Sequence, residues 1–180
     1  MAAVLFANER KEALVKTYIT ATDRFDRASQ IAAEVKTGYF RAAVGGLVGV
    51  VAFSGLMRFV APKMTGHPMD VPAMVAHISG APLMVGMLIH LFLGVLVFPF
   101  VYILVRRFLP GPAVIKGMIF AFGLFIVAES VVMPMAGNGF WSADIGGMKA
   151  VMAAFIGHMV YGTLLVEFEG NGFPARSLRE

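Results

Sequence analysis

The chain has 180 residues, of which 58% are hydrophobic and only 14% are charged. A soluble globular domain carries roughly 25% charged residues, so this composition excludes an ordinary soluble domain and indicates an integral membrane protein. The absence of cysteine excludes disulfides, thiolate metal sites and iron–sulfur clusters.

The pattern of residues 1–40 predicts a separate amphipathic helix. Its apolar positions alternate in spacing between four and three residues, which is the pattern of a coiled-coil seam. They are Leu14, Tyr18, Ala21, Phe25, Ala28, Ala32, Val35 and Tyr39. Helices that lie on lipid headgroups are usually strongly basic on the polar face, whereas this helix mixes both signs. We expect residues 14–39 to contact another membrane subunit or a second copy of the chain; the membrane surface and the chain's own bundle are the alternatives.

Four apolar stretches follow, and each has about the 20 residues that a helix needs to cross a bilayer. They are residues 42–61, 82–105, 117–136 and 148–167. We therefore predict an all-α integral membrane fold, with the amphipathic helix 1–40 followed by a four-helix transmembrane bundle in 41–180.

Lysine and arginine predict the orientation of this bundle. They are concentrated in the N-terminal segment, in the loop 106–116 and in the C-terminal tail. By the positive-inside rule both termini are then cytoplasmic, and we expect the chain in the inner membrane of a bacterium. The net charge of +4 follows from this topology, and we expect no nucleic-acid partner.

The bundle has signs of a tandem duplication of a two-helix hairpin. Pro62 and Pro134 end the first and third stretches and lie 72 residues apart. His90 and His158, in the second and fourth, lie 68 residues apart, and each is followed by a glycine four residues later. Two such hairpins would be related by an axis along the membrane normal.

The segments HLFLG, VVMPMAGNGFW and GHMVYG, set in four hydrophobic helices, resemble an uncharacterised family of small four-helix bacterial membrane proteins. The resemblance covers roughly residues 42–167 and implies the four-helix membrane fold. It implies no activity, substrate or catalytic residue.

Ionisable residues inside a membrane span are costly and mark candidate functional sites. Four of them stand out: Arg58, His90, Glu129 and His158. Neutral imidazoles on facing helices of a bundle are established haem ligands. We therefore predict His90 and His158 as candidate axial ligands of haem b, and Arg58 as a candidate partner of a haem propionate.

Small residues flank both histidines four positions away on the same helix face, as a flat macrocycle requires. They are Gly86, Gly94, Ala154 and Gly162. The alternative is that small residues let membrane helices pack closely, and that the histidines form a structural polar network. In that network Glu129 would pair with Arg58 or with a histidine.

The first outer loop indicates a second candidate site, for copper. Met64, His67, Met69 and His77 lie close together in the sequence, and thioether and imidazole ligands suit Cu(I). Alternatively, the methionines fill gaps in packing, and Asp70 followed by Pro72 starts a short interfacial helix.

No phosphate loop, nucleophile with its base, or paired carboxylates are recognisable, so catalysis is not indicated. Our leading hypothesis is a small non-catalytic subunit of a bacterial inner-membrane complex, with a respiratory, electron-transport complex as the candidate. The alternatives are a copper-handling membrane protein that uses the Met/His loop, and a structural assembly subunit that docks a partner through the N-terminal helix.

Overall fold

The computed structural model of the protein describes residues 2–170, and for residues 2–13, 15, 31, 34 and 170 it describes the backbone alone. Every regular element in this range is a helix, so the predicted all-helical fold is confirmed. The chain divides into two compact units, Met1–Thr37 and Gly38–Glu180. The C-terminal tail, whose arginines Arg176 and Arg179 contribute to the predicted orientation, lies outside the described residues.

The described residues form eight α-helices: α1 (Ala2–Gly55), α2 (Pro62–Thr65), α3 (Val71–Ser79), α4 (Leu83–Phe92), α5 (Phe98–Val105), α6 (Ala113–Val127), α7 (Met133–Met135) and α8 (Met148–Gly170). Short π-helical turns occupy Leu56–Val60, Leu93–Val97 and Ala128–Val132, and 3₁₀ turns occupy Arg106–Phe108 and Phe140–Ser142.

Four helical stretches are long and apolar enough to cross a membrane, as the sequence predicts. They are the first span, Lys16–Thr65; the second, Leu83–Phe108; the third, Ala113–Met135; and the fourth, Met148–Glu169. Each of the last three begins within a few residues of its predicted start.

Each π-helical turn precedes a proline, which explains why it forms. A proline has no N–H to donate, and its ring clashes with the carbonyl oxygen four residues earlier. One wider turn relieves this clash: the Ala61 N–H bonds to the Leu56 oxygen at 2.8 Å, just before Pro62. The turns before Pro62 and Pro134 share the 72-residue offset of the two prolines, whereas the turn before Pro99 has no counterpart in the fourth span.

Glycines allow the spans to approach each other at backbone distance. The third and fourth spans meet where Gly117 and Gly162 face each other, and a Cβ atom on either would overlap the other's carbonyl oxygen. The first span meets the fourth at Gly45, where a Cβ would lie 2.7 Å from the Leu165 oxygen. Small residues at contacts are the usual way in which membrane helices pack.

The two ends of the bundle carry different features. At one end, which we call the α3 end, α3 follows its N-cap residue Asp70, and Gly146 lies beside Thr65 of α2. Asp70 accepts a hydrogen bond from the Ala73 N–H at 3.0 Å, so the predicted short helix is confirmed with Asp70 as its N-cap. At the other end, the Arg106 end, Arg106 pairs with Glu169.

Candidate functional site

His90 and His158 lie on different spans and line the same cavity at the centre of the bundle. A second, smaller cavity of about 50 Å³ is also lined by both histidines and continues towards Tyr161 and Gly94. The Tyr161 hydroxyl donates to the Gly94 oxygen at 2.7 Å. This hydrogen bond joins the fourth span to the second on the side of the histidines that is nearer the Arg106 end. The structure therefore brings together the two residues that the sequence paired.

The walls of the larger cavity are apolar apart from the two imidazoles. They come from all four spans and from α3, whose Val71, Met74 and Val75 close the cavity at the α3 end. The other lining residues are Phe53, Met57, Met69, Leu93, Phe98, Leu124, Val127, Ala128, Val132, Met133 and Ala154. Such a lining, with few polar groups at fixed places, is typical of ligand and cofactor sites.

The volume of this cavity is about 180 Å³. This is more space than a single ion fills, although it is smaller than the roughly 300–1,000 Å³ of most small-molecule pockets. A ligand as large as haem would therefore require the spans to move apart.

His158 is held in one orientation by its own helix. Its Nδ1 lies 2.7 Å from the Ala154 carbonyl oxygen, and because a carbonyl can only accept, Nδ1 must carry the proton. The neutral ring then has its lone pair on Nε2. A backbone carbonyl that fixes the tautomer in this way is a regular companion of metal-ligating histidines.

His90 is positioned by the first span. Its Nε2 lies 3.3 Å from the Ser54 hydroxyl, and its ring centroid lies 6.3 Å from that of Phe53. The same phenyl ring packs edge-on against His158, with the centroids 5.0 Å apart. Phe53 therefore contacts both imidazoles. Ser54 was not among the candidate residues, although a hydroxyl within an apolar span is a visible sequence signal.

The three glycines assigned to a macrocycle lie at helix contacts. A Cβ on Gly94 would overlap Val50 of the first span, and a Cβ on Gly86 would overlap the backbone oxygen of Pro72 in α3. Gly162 faces Gly117, as described above. Among the small residues named, only Ala154 lines the larger cavity, so the three glycines serve helix packing and do not create its open space.

Arg58 and Glu129 are not brought together. The Arg58 side chain is exposed and does not line the cavity. Glu129 is fully buried and accepts a hydrogen bond from Ser142 at 2.7 Å. The expected pairing of Glu129 with Arg58 or a histidine is wrong, because the carboxyl faces the loop that carries Ser142.

The four residues of the copper hypothesis are divided between two environments. Met69 is buried and lines the cavity. Met64 is partly buried and packs against the apolar cluster to which Met69 belongs. His67 and His77 are exposed. Other methionines line the α3 end of the cavity, namely Met57, Met74 and Met133. Among the described residues, no three His, Asp or Glu side chains come together to hold a metal ion.

Comparison with known proteins places the chain in a family without assigning an activity. No curated protein and no solved structure matches it. The model of one family, described as a family of unknown function, matches residues 36–168, which include all of the cavity-lining residues. This agrees with the resemblance to an uncharacterised family noted in the sequence. The chain belongs to the family of unknown function DUF6789.

Proposed function

We propose that this protein is a non-catalytic membrane subunit that holds haem b between His90 and His158. The observation that carries the proposal is that both imidazoles, from the second and fourth spans, line the same apolar cavity. In four-helix bundles, cofactor sites are built from side chains on facing helices in this way. Two histidines are a sufficient axial ligand set for haem iron.

The residues around the cavity have the chemistry that a haem site requires. His158 would present Nε2, since Nδ1 is bonded to the Ala154 oxygen. His90 would exchange its contact with Ser54, which at 3.3 Å is a long hydrogen bond, for the iron. The aliphatic and aromatic walls would exclude water from the macrocycle. A bound haem would supply one-electron transfer, which suits a subunit of an electron-transport complex.

Copper handling is the second candidate, and one observation favours it. The thioethers of Met57, Met69, Met74 and Met133 line the α3 end of the cavity that holds both histidines, and this is a ligand set that Cu(I) prefers. A single copper ion would leave most of the cavity of about 180 Å³ empty.

The location and partners form part of the same proposal. We place the chain in a bacterial inner membrane, with the Arg106 end cytoplasmic, because Arg106, Arg107 and Lys116 lie there. In the unit Met1–Thr37, large apolar side chains of the predicted seam are exposed, with Tyr18 at 75% and Phe25 at 74%. They support contact with another subunit or a second copy, either of which would also suit an assembly role.

The absorption spectrum of the purified protein, expressed with sufficient haem supply, tests the proposal. We expect a Soret band and a reducible α band, and we expect His90→Ala and His158→Ala to lose most of the bound haem. His67→Ala and His77→Ala are matched controls, because they remove exposed imidazoles outside the cavity.

A colourless protein, or a spectrum that survives the loss of both cavity histidines, would refute the haem site. Metal analysis of the same samples tests the copper alternative. Colourless protein that contains stoichiometric copper, and that loses copper in a Met57→Leu, Met133→Leu double variant, would support it.

A further inference from the structure

A second buried polar group lies outside the His90–His158 cavity. Glu129 is fully buried in the π-helical turn of the third span, and its Oε2 accepts a hydrogen bond from Ser142. Its Oε1 is also buried and has no hydrogen-bond partner. A buried carboxylate with one oxygen unpaired is strongly unfavourable unless a positive charge neutralises it.

No basic side chain in the part of the chain that the structure describes supplies that charge. Among the described residues, Glu129 forms no ion pair. The charged residues of the neighbouring segments, Arg58, Asp144 and Lys149, are all exposed. The histidines of the cavity are engaged elsewhere, His90 with Ser54 and His158 with the Ala154 oxygen. Among the groups that the structure describes, this leaves a bound cation, a proton included, as the source of the neutralising charge.

The loop that delivers Ser142 is held in a strained conformation. Trp141 and Ser142 both have φ near 53°, a left-handed conformation that residues other than glycine rarely adopt. Three contacts hold this turn. The indole of Trp141 packs edge-on against Phe125 at 5.7 Å, and the Ser142 oxygen accepts from the Ile145 N–H at 3.2 Å and from the Gly147 N–H at 2.8 Å. Such strain persists where the surrounding structure enforces it, and it is concentrated at functional sites.

The site brings a carboxylate and a hydroxyl together, since the Ser142 hydroxyl lies 2.7 Å from Glu129 Oε2. The Ser142 hydroxyl still has lone pairs when its proton points to Glu129. Carboxylate and hydroxyl oxygens are both hard ligands.

We propose that Glu129 and Ser142 form a binding site for one small monovalent cation, a proton or Na⁺, that enters from the α3 end. We assign the entry to this end because the buried Ser142 is followed directly in the loop by two exposed residues, Ala143 and Asp144. A single positive charge balances the single carboxylate. The site does not depend on haem or copper in the cavity.

Infrared spectroscopy of the full chain in lipid nanodiscs tests the proposal. At pH 7 in Na⁺-free buffer, we expect a carboxylic acid C=O band in the wild type that shifts in ²H₂O and is absent from Glu129→Gln. Ser142→Ala should shift this band because it removes the hydrogen bond to Oε2. Glu167→Gln is the matched control at the Arg106 end and should leave the band unchanged.

Titration with NaCl against choline chloride identifies the cation. If Na⁺ binds, NaCl alone replaces the acid band by carboxylate bands, or shifts carboxylate bands already present, with saturation. If the proton is the sole ligand, both salts leave the acid band unchanged. A Glu129 that is ionised at pH 7 without Na⁺ and insensitive to NaCl would overturn the proposal. Circular dichroism of each variant verifies that it is folded.

Discussion

At the residue scale, the same side-chain type serves different purposes according to what faces it. Gly117 and Gly162 are buried against each other's backbone, whereas Gly123 has open space where a Cβ would lie. The two kinds of glycine cannot be distinguished in the sequence, since all three lie within apolar stretches. Replacing each glycine by alanine adds one methyl group, and the two kinds of position should then differ in their effect on the free energy of unfolding.

Gly117→Ala is expected to lower the free energy of unfolding by about 1–3 kcal/mol, as overpacking of a close contact does. The new Cβ would meet the Gly162 carbonyl oxygen, which is backbone and cannot rotate away. Equilibrium unfolding in mixed detergent–SDS micelles, followed by circular dichroism, measures the change.

Gly123→Ala is the control and should leave stability unchanged or slightly raised, because alanine is the better helix former. Equal stability of the two variants would show that the third and fourth spans are not in backbone contact at Gly117.

At the element scale, α3 closes the cavity that holds the two histidines. It contributes Val71, Met74 and Val75 to the cavity wall. It ends at Gly80, whose φ of 63° suits glycine and whose N–H bonds to the Ala76 and His77 oxygens. The start and end of α3 are therefore set locally, by Asp70 and Gly80, while its place over the cavity depends on its contact with Gly86 of α4.

Asp70→Ala removes the N-cap of α3 and should destabilise this helix by about 1 kcal/mol. Hydrogen exchange of the α3 amides, measured by mass spectrometry, should accelerate by up to several-fold, with little change in α6 or α8. Asp70→Asn keeps a capping oxygen and should exchange almost as slowly as the wild type. Unchanged exchange in Asp70→Ala would show that the cap contributes nothing to α3.

At the scale of the whole molecule, the four spans and the distribution of charge give a specific prediction of orientation. The Arg106 end carries Arg106, Arg107 and Lys116, so it should face the cytoplasm, with the α3 end outside. The natural chain contains no cysteine, and single reporters can therefore be introduced without background.

Ser79→Cys, at the exposed end of α3, should react with a membrane-impermeant maleimide in intact cells. Ala113→Cys, exposed at the start of α6, should react only after the cells are opened. The two variants control for each other, since both thiols are exposed in the fold. The reverse labelling pattern would invert the proposed topology and place entry to the Glu129 site on the cytoplasmic side.

The sequence by itself determined the helical class, the four apolar stretches and the cap of α3. These follow from hydrophobic length, composition and local hydrogen bonding, which depend on residues close together in the chain. The pairing of His90 with His158 was also predictable, because matched positions on two spans imply similar depth in the bundle.

Only the tertiary structure decided which residues meet across the bundle. It places Gly86, Gly94 and Gly162 at helix contacts and separates Met69 from His67 and His77. It also joins Glu129 to Ser142 through a left-handed turn. These outcomes depend on how each helix is rotated about its axis, and the wider π-helical turns change that rotation within a span. In a chain that is apolar on nearly every face, the hydrophobic pattern cannot specify the rotation.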